Sequence, residues 1–117
     1  MTKILAMMLT VSLFLGAGPC LAHAKLLSSS PADKAQLAQA PKTLSLKFSE
    51  IARLAMVKLT IGDKEIPVAV DKTAKPAEAF SLPLPTLGPG TYMVQWSAVA
   101  ADDGHLTKGS FSFSVSG

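Results

Sequence analysis

Thr91-Tyr92-Met93-Val94-Gln95-Trp96-Ser97-Ala98 alternates in polarity. Tyr92, Val94, Trp96 and Ala98 fall on one side of an extended chain and Met93 on the other, because a β-strand repeats every two residues. One buried face is implied, on what should be the longest strand of the domain. The same period recurs outward from it. Phe111, Phe113 and Val115 share a face in the last segment, and Leu44, Leu46 and Phe48 alternate with Ser45 and Lys47. Val57, Leu59 and Ile61 alternate with Lys58 and Thr60, Gly62-Asp63 turns the chain, and Glu65 to Val70 reads as a hairpin's return arm. Phe80, Leu82 and Leu84 form another alternating stretch that Pro83 and Pro85 restrict to a sheet edge. His23 to Ser28 is expected as a short edge strand, Ser28 to Asp33 as a turn, and Asp71 to Glu78 as a loop. Residues 34–40 leave room for one helical turn before Pro41. No long helical period occurs after residue 22. About seven short strands at this spacing predict an all-β, immunoglobulin-like Greek-key sandwich or barrel.

Residues 1–22 carry the three parts of an export signal. Lys3 gives a positive start, Ile4 to Leu15 a mostly apolar run, and Gly16, Gly18 and Pro19 break it ahead of a small-residue cleavage site. The run is shorter than the roughly 20 residues that a membrane span needs. Cleavage after Ala22 would give a signal peptide at 1–22 and a single β-domain at 23–117, with His23 as its first residue. The chain's formal charge is +3. Loss of Lys3 leaves ten basic against eight acidic residues, or +2, scattered from Lys25 to Lys108. That balance excludes nucleic acid as a partner, and nothing in the mature stretch calls for membrane insertion. The single cysteine, Cys20, lies in the leader. The mature domain therefore has no disulfide, zinc–thiolate or blue-copper site.

The two histidines of the chain, His23 and His105, carry the chemistry. A histidine at a chain terminus offers both its α-amine and its imidazole Nδ1, which close one chelate ring on a metal. Asp103-Gly104-His105 adds a carboxylate and a second imidazole two residues apart, on one face if the backbone is extended. Nitrogen and oxygen donors of this kind suit the tetragonal preference of Cu(II). Asp102-Asp103-Gly104 also reads as a plain hairpin corner, and the pattern alone weights the two readings equally. Asp102 replaces Asp103 only if the register shifts by one residue, which would turn it to the opposite face.

Four blocks bear on the choice: His23-Ala-Lys-Leu-Leu-Ser-Ser-Ser-Pro-Ala, Leu46-Lys-Phe-Ser-Glu50, Gly90 to Val99, and Asp103-Gly-His-Leu-Thr-Lys-Gly-Ser-Phe-Ser-Phe113. In this order they resemble the CopC family of periplasmic copper-binding proteins, its YobA-like members in particular. The resemblance implies a Greek-key β-barrel, a periplasmic location, and a Cu(II) site formed by His23, Asp103 and His105. It also implies a CopD-type inner-membrane copper transporter as partner. Glu50 ends the family's Phe-Ser-Glu segment, either as a weak axial or outer-shell group or as an ordinary acid closing a strand. Some family members hold Cu(I) in a methionine-rich loop. Here the mature chain has only Met56 and Met93, which are assigned to packing.

The expected function is that of a copper carrier or buffer in copper homeostasis or resistance, and not that of an enzyme. Two alternatives stand beside it. A histidine-brace copper oxidase or monooxygenase needs an open coordination position that Asp103 would fill, and a structural immunoglobulin-like module would bind no metal. Secreted material should begin at His23. Intact-mass measurement of the exported protein checks this, and any other first residue removes the terminal chelate.

Overall fold

The computed structural model describes residues 24–117, so the export signal and His23 lie outside the described residues. Seven strands follow in order: β1 (Leu26–Ser30), β2 (Ala35–Leu37), β3 (Thr43–Ile61), β4 (Lys64–Ile66), β5 (Ala77–Pro83), β6 (Gly90–Ala100) and β7 (Leu106–Val115). They form one curled sheet in the order β1-β3-β6-β7-β2, with β4 and β5 also paired to β3. No helix occurs among the described residues. The all-β expectation holds.

The two alternating stretches at 44–48 and 57–61 are halves of one 19-residue strand, and β3, not β6, is the longest. Its first half lies between β1, with Leu46 opposite Ser29, and β5, with Leu46 opposite Phe80. Its second half pairs with β6, Val57 opposite Trp96, and near its end with β4. Register shifts lie between Lys47 and Ala52 and between Leu54 and Met56. The second is visible in burial. Leu44, Leu46, Phe48, Ala52 and Leu54 are buried at even positions, and Val57 and Leu59 at odd ones. One extra residue flips the facing of a strand, so a bulge keeps both halves apolar toward the interior.

That interior is aromatic at its centre. Phe48 meets Trp96 edge-on with ring centroids 5.2 Å apart and Phe80 at 6.0 Å, which joins both halves of the sheet. Tyr92 stacks on its cross-strand partner Phe113 at 5.3 Å and donates its hydroxyl to the Gly88 carbonyl at 2.6 Å. Gly109 lies opposite Trp96, where a Cβ would come within 2.9 Å of the indole. A residue without a side chain leaves room for the ring there.

Three expectations change. Residues 34–40 form no helical turn. Ala35–Leu37 runs parallel to β7, Lys34 N–H donates to the Ser112 carbonyl, and Ser112 N–H donates to Asp33 Oδ1. Pairing with a distant strand satisfies the backbone where a local turn would otherwise have done so. The return arm is only three residues long. Met56 and Met93 are exposed and not packed inside. They sit opposite Ser97 and Thr60, four strand positions apart, roughly 13 Å at about 3.3 Å per residue. Their sulfurs therefore form no pair. β5 is an edge strand ending at Pro83, as the prolines implied.

Phe48→Ala should destabilise the domain by about 3–5 kcal/mol, since it empties the contact between the two halves of the sheet. Urea unfolding followed by Trp96 emission measures it, and a loss below about 1 kcal/mol would contradict the placement of this ring.

Candidate metal centre

β6 ends at Ala100 and β7 begins at Leu106, so Asp103 and His105 lie on the connecting loop. Gly104 N–H donates to the Ala100 carbonyl at 3.0 Å, and Ala100 N–H donates to the His105 carbonyl at 2.9 Å. Gly104 has φ +73°, a left-handed conformation that costs other residues energy. The backbone is therefore bent at 103–104 and not extended. The hairpin-corner reading is correct, and so is the convergence of the two side chains, which the bend produces.

Asp103 Oδ1 accepts the backbone N–H of His105 at 3.0 Å, and Oδ2 lies 3.0 Å from His105 Nδ1. A carboxylate only accepts, so Nδ1 carries the hydrogen, and in the neutral ring the lone pair is on Nε2. The Asp103 side chain is 31 % exposed and that of His105 is 61 % exposed. The carboxylate is partly covered while the imidazole reaches into solvent. An acid holding one ring nitrogen while the other stays available is the usual way of orienting a metal-binding histidine. Each carboxylate oxygen retains lone-pair capacity beyond these bonds.

Glu50 lies on β3, next to Ser49. It lines a shallow cleft of about 450 Å³ with Ser49, Ile51, Glu78, Ala101 and Asp102. The loop is tied to this strand, since Ala101 N–H donates to the Ile51 carbonyl at 3.0 Å. Glu50 thus shares a cleft with Asp102, while Asp103 pairs with His105. No group of three or more His, Cys, Asp or Glu side chains among the described residues is arranged to hold a metal. The described part of the site is a pair of donors.

The start of the described chain lies at the same end of the fold. Lys25 N–H donates to Ser49 Oγ at 2.9 Å, and Ser49 N–H donates back to the Lys25 carbonyl at 2.8 Å. Thr107 Oγ1 donates to the Ala24 carbonyl at 2.8 Å. Residue 24 is thereby held to a strand 83 positions away, two residues beyond His105. Ser49 and Thr107 have no local sequence signal, because a serine and a threonine in strands are ordinary and their partners are distant.

The fold is thus a small, curled, all-strand domain with a carboxylate–histidine pair on one loop. The CopC domain family model matches residues 26–116, and the chain belongs to that family. It is 39 % identical over 116 residues to copper resistance protein C of Xanthomonas campestris pv. juglandis, covering 90 % of this chain and 89 % of that one. It is 36 % identical over 99 residues to protein YobA of Escherichia coli K12, covering 80 % and 79 %. Among solved structures it resembles PcoC, a methionine-rich copper resistance protein from Escherichia coli, with 30 % identity and a TM-score of 0.65 over 80 % of this chain and 99 % of that chain. CopC from Methylosinus trichosporium OB3b matches with the same TM-score at 28 % identity, covering 80 % and 94 %.

Gly104→Ala isolates the bend, because a Cβ there would meet nothing within 4 Å. The expected cost is the backbone term alone, about 1–2 kcal/mol. Thermal unfolding measures it, and NMR shifts of the His105 ring should move with the loop.

Proposed function

We propose that this chain is an exported Cu(II)-binding protein that carries or buffers copper in the periplasm, as part of copper homeostasis or resistance, and that it is not an enzyme. The metal is held by His23, through its terminal amine and Nδ1, by the His105 imidazole, and by the Asp103 carboxylate once it releases that ring's Nδ1, since an ion on Nε2 lies on the far side of the ring from that carboxylate. The observation that carries the reading is the attachment of Ala24 to Thr107. His23 is joined to Ala24 by a peptide bond, and consecutive Cα atoms are about 3.8 Å apart. The residue that follows His23 in the chain is thus fixed beside the strand that His105 precedes.

The donors suit the ion. Amine, two imidazoles and a carboxylate make a nitrogen–oxygen set of the tetragonal kind that Cu(II) favours, and one negative charge partly offsets the dication. Thioether sulfurs that would favour Cu(I) are not gathered, since Met56 and Met93 lie apart on the outer face. Glu50 is assigned an outer role from the neighbouring strand. Names among the relatives, copper resistance protein C above all, support copper as the cargo.

The surface beside the centre suits a handover to protein. Leu106, next to His105, is 60 % exposed, and Ile51, next to Glu50, is 51 % exposed. Apolar side chains flanking a polar centre are common where a partner docks. A CopD-type inner-membrane copper transporter is the proposed partner.

The test is a Cu(II) titration of protein beginning at His23, followed by electron spin resonance and Trp96 emission. One extra residue ahead of His23, or His105→Ala, should weaken binding by more than the roughly 10–100-fold typical of losing an outer-shell partner. Native affinity in the extended protein would remove the terminal amine from the site, and native affinity in His105→Ala would remove the imidazole.

A further inference from the structure

Ala24 is fully buried, at 0 % exposure, although it opens the described chain. A buried carbonyl needs a donor, and a buried unpaired one is costly. Thr107 supplies that donor. Its Oγ1 lies 2.8 Å from the Ala24 carbonyl and 3.5 Å from the Ala98 carbonyl, so its one hydroxyl hydrogen goes to the nearer. The next residue, Lys25, is held from the other side by the reciprocal pair with Ser49.

These contacts have a consequence for the ligand residue just ahead. We infer that Thr107 is a positioning residue of the copper site: its hydroxyl, with Ser49 across the gap, clamps Ala24 and Lys25 between β7 and β3 and so sets where the terminal chelate stands before metal arrives. This inference rests on the proposed role of His23. Thr107 itself touches no metal in this account and acts only through the backbone.

The physical gain is in ordering. An unclamped terminus samples many conformations, and binding must then fix its backbone dihedrals as well as the histidine side chain. A terminus already fixed at Ala24 and Lys25 leaves few torsions to settle on binding. Such preorganisation tightens binding largely by slowing release. The two clamping residues also lie close in sequence to the remaining candidates. Thr107 is two positions after His105, and Ser49 immediately precedes Glu50. Each bond therefore fixes the terminus relative to a neighbouring donor.

Thr107→Val tests this, because it keeps the branched shape and removes the hydroxyl, with Thr107→Ser as the conservative control. Amide hydrogen exchange on metal-free protein should show faster exchange at Lys25 and Leu26 in the valine variant, restored in the serine variant. Cu(II) affinity in the valine variant should fall about tenfold, in the range found for outer-shell partners. Its copper should leave faster to a competing chelator, its spin-resonance signal should broaden, and serine should recover both. Native exchange and native copper release in Thr107→Val would overturn the clamp. So would a loss of affinity that tracks global unfolding and is not restored by serine. The protein with one residue added ahead of His23 serves as the separate arm. If it binds copper as tightly as the native protein, the terminal chelate fails, while the exchange data still decide whether Thr107 holds Ala24.

Discussion

One strand is shared by both halves of the molecule, and the rest follows from how it is shared. β3 pairs with β1 and β5 over its first half and with β6 and β4 over its second. A regular 19-residue strand would bury residues of one parity along its whole length. The register shifts in β3 let it curl with the sheet while its apolar side chains continue to point inside. Phe48, on the first half, then reaches Trp96, which pairs with the second. Both sides of the candidate metal centre are related through this strand. Ser49 holds Lys25 at its middle, and Ile51, two residues on, holds the loop that ends in Asp103 and His105. The candidate site is therefore tied to this strand by hydrogen bonds from backbone and side chain alike.

Much of the fold can be read from alternation alone. The buried faces of β6 and β7 are the ones that Tyr92, Val94, Trp96, Phe111, Phe113 and Val115 mark. Continuity of β3 could not be read, because Glu50-Ile51-Ala52-Arg53 breaks the alternation where the strand bends. β2 was hidden for a different reason: its partner is β7, nearly eighty residues away, and local propensity carries no record of that pairing. The methionines show the limit of hydrophobicity as a guide to burial, since apolar residues cover much of any protein's surface. At the centre, spacing marked Asp103 and His105 as a pair and Asp-Gly marked a corner, but neither showed that the bend itself brings the two side chains together. Thr107 and Ser49 had no signature, because a hydroxyl becomes informative only once its acceptor is known.

Asp103 fills two roles with one side chain. It accepts the His105 amide, which shapes the loop, and it faces Nδ1, which sets the ring's tautomer and direction. A loop so braced presents Nε2 without needing the metal to organise it. PcoC, a methionine-rich copper resistance protein, resembles this fold. In this chain the soft donors are dispersed and the hard and borderline ones are gathered.

The last consequence concerns the rim of the sheet. Among the described residues β5 pairs with β3 alone, and it terminates in Pro83. Proline offers no N–H, and its ring obstructs an incoming strand, so another molecule's backbone finds a poor template there. Molecules that crowd together are thus discouraged from zipping into fibres along this side. A domain with so much of its backbone in extended form can then remain as separate particles.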